Sequence, residues 1–371
     1  MNRSLLLCLL TALVLRLAFV IVGFPVLAER WQLREDGDGY GSIARTIREG
    51  GYTDIVRGPV YPVVVAAAGS PVAVKLLQAV LDSMTCLLVY RLAGQRLWAA
   101  WLYALYPFAI WRVAFVNKEI VLAFLLTGYA LAQVRARSAM AGAWLGLVNL
   151  CKPSLLLWPV VLLIRWPRRT WLTVLTTVAV VAPWTIRNGV VTGGEFLPVA
   201  TEQGGVTTFI GNYQPTLGLW EGPGKREWLA AVRAIEEEQA GRSAVQLDRV
   251  FYRAAWEQVR NNPVKAAELA ARKCFRFWFR SAARREQWAS AVIQSGYLVL
   301  LGVGLWRRWP WDWETGVLVG LIGYVMVIHA LSYADLRFSL PVMPLVCALA
   351  ACGDTQRAHP HMGKPPRGSS D

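Results

Sequence analysis

The sequence is poor in charge. Asp, Glu, Lys and Arg make up 17% of its 371 residues, against about 25% in soluble globular proteins. Together with the many apolar runs, that shortage excludes a cytosolic enzyme, a disordered chain and a secreted disulfide scaffold. Histidine is scarce too, and three residues disfavour a His-based metal centre. Six cysteines (Cys8, Cys86, Cys151, Cys274, Cys347 and Cys352) show no metal or redox spacing. Five lie in or beside apolar runs and read as small buried hydrophobes. No internal repeat is visible.

Apolar side chains are what the chain has in abundance, 55% of the total, with a mean hydropathy of +0.37. At about 20 residues per crossing, the length admits roughly ten spans and one folded outer region. The expected fold is an all-α polytopic membrane protein, a bundle of about ten transmembrane helices. The charge balance is 39 Lys and Arg against 24 Asp and Glu, formally +15. Most of the excess sits in short basic clusters between apolar runs, where it fixes helix ends and meets anionic membrane lipid. Nucleic acid is therefore not an expected partner. The 18 Trp fit interface belts.

The apolar run at 4–27 is longer than a signal-peptide core and is interrupted by Arg16, so it reads as an uncleaved first span. A polar loop follows at 28–58, and residues 59–69 are apolar but too short to cross. Further spans are expected at 71–93, 97–115, 118–134, 139–151, 154–164 and 170–186, the two near 152 being half-length. Residues 187–286 hold 11 of the 24 acidic residues and mark the aqueous region. Spans at 288–306, 315–331 and 338–352 complete the bundle, before a polar tail expected to be disordered. The organisation is thus an N-terminal membrane module (1–186) with the loop 28–58, an outer region (187–286), a C-terminal membrane part (287–352) and a tail (353–371).

Arg91/Arg96, Arg135/Arg137, Arg165/Arg168/Arg169, Arg307/Arg308 and the basic tail mark one set of loops as cytoplasmic. The expected location is a bacterial inner membrane with both termini in the cytoplasm. The first loop and 187–286 then face outward, although five Arg in the first loop count mildly against that. Within the outer region, 189–224 reads as loop with short strands. Asn261-Asn262-Pro263 reads as a helix cap. The helix from there to Phe279 is expected to lie on the membrane surface, with Lys and Arg on its polar side.

Chemistry concentrates in the outer turns. Asp36-Gly37-Asp38-Gly39-Tyr40 follows the first span. Its carboxylates suit either acid–base work or the start of a helix. The downstream ligands of a calcium loop are missing. Lys118 and Glu119 open a span, Lys152 joins two half-spans, Arg187 ends a span and Arg337 begins one. Each alone reads as an interfacial anchor. Together they suit the grip of an anionic, lipid-linked head group. Asp82, inside a span, must face the bundle, paired or protonated, and His329 either bonds within the bundle or lines the cavity.

Asp36, Tyr40 and Ala44, followed by Arg57-Gly58-Pro59-Val60-Tyr61-Pro62, resemble the opening of GT-C glycosyltransferases of the protein O-mannosyltransferase/aminoarabinose transferase type. The resemblance continues through Lys75-Leu76-Leu77-Gln78, Ala104-Leu105-Tyr106-Pro107, Asn117-Lys118-Glu119 and Lys152-Pro153. Pro183-Trp184-Thr185-Ile186-Arg187-Asn188, the Gly-rich 196–212 and Arg337-Phe338-Ser339-Leu340-Pro341 extend it over about 36–344 in the family's order. The chain departs from the pattern at Gly37, where Glu or Ser is common, with Asp38 as a second carboxylate, and it carries no large C-terminal outer domain.

The resemblance implies an enzyme, a hexosyl- or pentosyltransferase of the cell envelope. It would move a sugar from a polyprenyl-phosphate donor to a glycan, lipid or protein acceptor by single displacement with inversion. The leaving phosphate needs no general acid, unlike the alkoxide of a glycosidase. Asp36 or Asp38 would be the base. Lys118, Lys152, Arg187 and Arg337 would hold the donor phosphate, with Tyr40, Arg57 and Glu119 in support. No cofactor is required, and a divalent metal, held with help from Glu119, stays open. The alternatives are a transporter or flippase of lipid-linked sugars, suggested by the interrupted spans, and a non-catalytic scaffold.

Overall fold

The computed structural model describes residues 2–220, 224–280 and 287–351. The expected tail from 353 onward lies outside them. Among the described residues the chain is helical, with no strand. Five helices are long and apolar enough to cross a membrane: α1 (Arg3–Trp31), α4 (Pro71–Leu92), α10 (Pro167–Val191), α15 (Gln287–Arg307) and α16 (Trp313–Leu331). Four apolar stretches, Glu119–Val134, Ser138–Cys151, Pro153–Arg165 and Leu336–Ala350, are shorter.

Each irregularity has a local cause. Helix α1 passes through one π turn at Phe19–Gly23, just before Pro25, whose missing N–H would otherwise break the ladder. The stretch 97–115, expected as one span, divides into α5 (Leu97–Ala104) and α6 (Pro107–Arg112). Pro107 drives Tyr106 into an extended conformation and ends α5. The last expected span shrinks to two 3-10 turns and α17 (Met343–Ala350), and the two prolines at 341 and 344 break its start. The apolar piece after the first loop forms α3 (Val60–Ala68), about 14 Å long and too short to cross.

Helix α7 (Glu119–Val134) is buried on nearly every side, as an all-round apolar helix should be. Around it pack α4 and α8 (Ser138–Cys151), and α10 covers α8. Gly142 and Gly146 on α8 allow that contact, because a Cβ at either would strike the Thr173–Thr177 backbone or Val180 of α10. The outer rim of the bundle stays apolar. Leu7, Val14 and Ile21 of α1 and Val292 and Val299 of α15 are exposed, the pattern of a lipid-facing surface.

Between α10 and α15 lies the polar region expected to face outward. Among the described residues of 189–224 there is no strand where short strands were expected, and α11 (Gly204–Asn212) occupies part of that range. It packs on α13 (Ala244–Asn261), and with α12 (Lys225–Glu238) they enclose a separate small core of Phe209, Trp228, Val232 and Phe251. Asn262 caps α14 (Pro263–Phe279) by accepting from Lys265 N at 3.0 Å. One expectation fails here. Lys273 and Arg276 lie on the buried face of α14 beside Leu269 and Phe277, not on its polar side. Asn212 Oδ1 (2.9 Å) and the Ser332 carbonyl (3.1 Å) satisfy Lys273, and the Gly218 carbonyl (3.2 Å) meets Arg276.

Candidate functional site

The first polar loop turns through Asp36–Gly39 into α2 (Tyr40–Arg48), and Gly39 supplies the left-handed turn at φ 76°. Asp36 holds this helix start. Its Oδ1 accepts from Tyr40 N at 2.9 Å and its Oδ2 from Gly41 N at 2.6 Å. Asp36 therefore precedes the helix and does not share a helical face with Tyr40. Asp38, two residues on, points elsewhere: its Oδ2 lies 3.7 Å from Arg337 Nη1, and its side chain keeps 27% exposure. The helix-start and acid–base readings of the acidic pair thus separate onto different aspartates.

Arg337 reaches on to Glu119, the first residue of α7, at 3.9 Å. Arg112, at the end of α6, meets the same carboxylate at 3.7 Å. Asn117, oriented to satisfy both neighbours, donates to Glu119 Oε2 at 2.7 Å and accepts from Arg112 Nε at 3.1 Å. Lys118, one residue earlier than Glu119, turns to a different acid and pairs with Glu202. Glu202 also accepts from Gly58 N at 3.0 Å and lies 3.7 Å from Arg57.

Glu202 is the residue the sequence reading missed. It sits 84 positions from Lys118, inside the Gly-rich 196–212 stretch, whose resemblance rested on its glycines and not on this acid. Thr201 N and Glu202 N donate to the carbonyls of Ile55 (3.0 Å) and Val56 (2.8 Å), which dock this loop on the first one. Glu202 and Gln203 both adopt left-handed backbone, φ 51° and 53°. Neither is glycine, so the conformation is strained and the packing must hold it. Burial pushes the Glu202 carboxyl up, but Lys118, the Gly58 N–H and Arg57 outweigh that and hold it below its ordinary value of 4.5. The available signal was a lone acid in an otherwise neutral stretch.

Gly58 is required where it stands, since a Cβ there would run into the carbonyls of Leu150 and Cys151 at the end of α8. That close approach places the Arg57 turn beside Lys152. Lys152 lies at the break between α8 and the 3-10 turn Pro153–Leu155. Its Nζ is 3.1 Å from His329 Nε2 and 4.0 Å above the Phe338 ring. His329 Nδ1 faces the Val325 carbonyl at 2.8 Å. Placing the ring proton there leaves Nε2 free to accept from Lys152. Burial first, then the charge of Lys118, pushes the Lys152 ammonium down to about 7, while Glu119 and Glu202 pull it up. These charges therefore share one locus.

Tyr40 supports the cluster from below. Its ring packs edge-on against Tyr61 (4.6 Å) with Arg57 above it (5.8 Å), and burial pushes its phenol well up, so it stays neutral. Arg187 has a different task. It donates to the Asp54 carbonyl and Asn188 Oδ1, both at 3.0 Å, and to the Tyr52 carbonyl. It holds the first loop on α10 and makes no ion pair among the described residues. The expected grouping of Arg187 with the other cations is not what these contacts build.

Five cations (Arg57, Arg112, Lys118, Lys152 and Arg337) face four carboxylates (Asp38, Glu119, Glu202 and, beside Arg337, Asp335), an excess of about one charge before Lys152 is discounted. Among the described residues no three His, Cys, Asp or Glu side chains gather into a metal-binding group. The carboxylates of the cluster face cations, a donor set that does not fit a metal. No family model, no curated protein and no solved structure matches the chain.

Proposed function

We propose that the chain is an integral-membrane glycosyltransferase of the GT-C kind, a bundle of about ten spans that uses a polyprenyl-phosphate sugar at the outer face of a bacterial inner membrane. The observation that carries this reading is the cluster itself: five cationic side chains gathered beside a partly exposed carboxylate, Asp38, whose oxygens are not committed to backbone N–H groups. A donor phosphodiester brings one negative charge, and the departing polyprenyl phosphate carries nearly two. A surplus of cations stabilises the second form more than the first, which is the differential binding that catalysis needs.

In the reaction the acceptor hydroxyl attacks the anomeric carbon while the bond from that carbon to the phosphate oxygen breaks. The electron pair stays with the phosphate, and the configuration inverts. Arg337, Lys118 and Lys152 face the phosphate. Asp38 takes the hydroxyl proton. Both oxygens of Asp36 already accept backbone N–H groups, so Asp36 shapes the loop and Asp38 is the base. Tyr40 and Arg57 shape the floor, Glu119 and Glu202 space the cations, and Arg187 fixes the loop that carries Asp38.

The test uses the full chain in lipid nanodiscs with radiolabelled polyprenyl-phosphate hexoses and pentoses and envelope extract as acceptor. Donor-dependent transfer is expected, lost in Asp38→Asn and only weakened in Asp36→Asn. Transfer that survives both substitutions overturns the assignment of a base. Movement of the intact donor across the bilayer without transfer makes the protein a carrier.

A further inference from the structure

At the far end of α16 from His329 lies a second, separate concavity of about 520 Å³. Sixteen helical residues, about 24 Å, separate Trp313 at its rim from His329 beside Lys152. The walls come from two places: the junction of α9 (Trp158–Arg165) with α10, and the start of α16. Arg165 lies over the Trp166 ring and Arg169 over the Trp313 ring, each at 5.3 Å. The two indoles meet edge to face at 4.7 Å. Neither guanidinium has an ion pair among the described residues. The one carboxylate lining the concavity, Asp312, is engaged elsewhere, since it accepts from Thr315 N at 2.8 Å and caps α16. Two cations thus stand on aromatic faces around the concavity against a single carboxylate, which is committed to a helix cap.

What leads to this concavity is apolar. Leu157, Val160, Val161 and Ile164 form an exposed stripe along α9 that ends at Arg165. Trp171, Leu175 and Val178 form another along α10. A soluble anion has no use for these stripes, whereas acyl chains lie along them while their head group reaches the arginines.

The geometry points to a binding site for one anionic glycerophospholipid, its phosphate between Arg165 and Arg169 and its chains along α9 and α10. This goes beyond the proposed transfer reaction and is independent of it. It also differs from the diffuse attraction of every basic loop to the membrane, because a shaped aromatic cage fixes two particular guanidiniums. All three arginines are exposed, but Arg168, between the other two in sequence, does not line the concavity.

Native mass spectrometry of the detergent-solubilised full chain, offered equal amounts of a phosphatidylglycerol and a phosphatidylcholine, tests the site. The anionic lipid should be retained in about thirtyfold preference, roughly fivefold for each cation. Arg165→Gln with Arg169→Gln should bring that preference close to unity. Arg91→Gln with Arg168→Gln, which removes the same charge elsewhere, should leave it intact. Equal retention of both lipids by the native chain, or equal loss in the two double variants, overturns the site. Displacement of the lipid by excess inorganic phosphate does so as well, since the ligand is then a free anion. If the first double variant does not fold, a photoreactive phosphatidylglycerol on the native chain decides: adducts in the peptides around 157–178 and 309–316 support the site, and adducts only elsewhere overturn it.

Discussion

Two charged assemblies in this molecule are built to opposite specifications. Inside the bundle, Arg16 of α1 and Asp82 of α4 are fully buried and 2.5 Å apart. Tyr103 donates to the same carboxylate at 2.6 Å, and Arg16 also reaches the Ala104 carbonyl at 2.9 Å. Donors and acceptors are matched and nothing is left to bind. At the loop cluster Lys118 and Glu202 pair closely, but the ion pairs of Asp38, Glu119 and Arg57 stand at 3.7–3.9 Å, and cations outnumber acids. A closed set of ion pairs ties spans together; a loose, unbalanced one can take in an anion.

The sharpest way to break this comparison is to neutralise one aspartate from each assembly. Asp38→Asn should reduce sugar transfer by about a hundred- to ten-thousandfold, the usual worth of a general base. Its thermal midpoint in detergent should stay near that of the native chain, because an ion pair this long and this exposed contributes about 1 kcal/mol at most. Asp82→Ala should do the reverse. It strands the Arg16 charge in the bundle and costs about 3–5 kcal/mol, read as a large fall in thermal midpoint, while any protein that remains folded still transfers. A double variant, Arg16→Met with Asp82→Leu, should regain most of that stability. If Asp38→Asn unfolds the protein and Asp82→Ala does not, the two assemblies have been assigned the wrong way round.

The cations allow a finer division. Arg337→Ala removes the partner of Asp38 and one of the two arginines beside Glu119. It should lower the rate of transfer by about a hundredfold, as the loss of one aimed donor does. Arg187→Ala should cost less in rate and more in order, because it frees the Tyr52 and Asp54 carbonyls. Its signature is faster proteolysis within 40–58. Equal rate losses for the two, with no change in proteolysis, would return Arg187 to the phosphate.

Much of this was legible in the sequence, for reasons that differ by region. Apolar runs announced the helices, since lipid leaves the backbone no other way to satisfy itself. The Asn262 cap and the half-length helices around Lys152 were readable from Asn, Pro and run length alone. Lengths near prolines were not: 97–115 looks continuous in hydropathy, yet Pro107 divides it. Of the candidate site, the residues adjacent in sequence (Lys118 with Glu119, Asp36 with Asp38) were visible as strings, but how they pair was not. Lys118 and Glu119 point to different partners, and Glu202 enters only because a strained turn lays its loop on residues 55 and 56. Likewise Arg16, which looked like an interruption of the first span, acquires its meaning from Asp82, 66 positions away.

Glu202 and Lys273 give the smallest effects, pH effects of the same sign in two separate windows. The depressed carboxyl of Glu202 contributes stability above its ordinary value of 4.5 and loses it as pH falls through the lower folded value. Glu202→Gln should therefore flatten the acid limb of a stability–pH curve and, by removing a charge that pulls the Lys152 ammonium up, extend the rise on the alkaline limb. Lys273 acts in the same sense at higher pH. Burial first, then Arg276, pushes its ammonium down to about 7 from 10.5. Between those values the unfolded chain holds a proton that the folded chain has shed, so this group makes stability rise with pH. Lys273→Met should remove part of that rise, seen as a smaller gain in thermal midpoint from about pH 7 to pH 9.5; Lys152, shifted the same way, keeps the remainder. An unchanged slope in Lys273→Met would mean that Lys273 stays charged in the fold. Carbonyl oxygens would then suffice to hold a buried ammonium, and the contrast between closed and open charge sets would have to rest on the arginines alone.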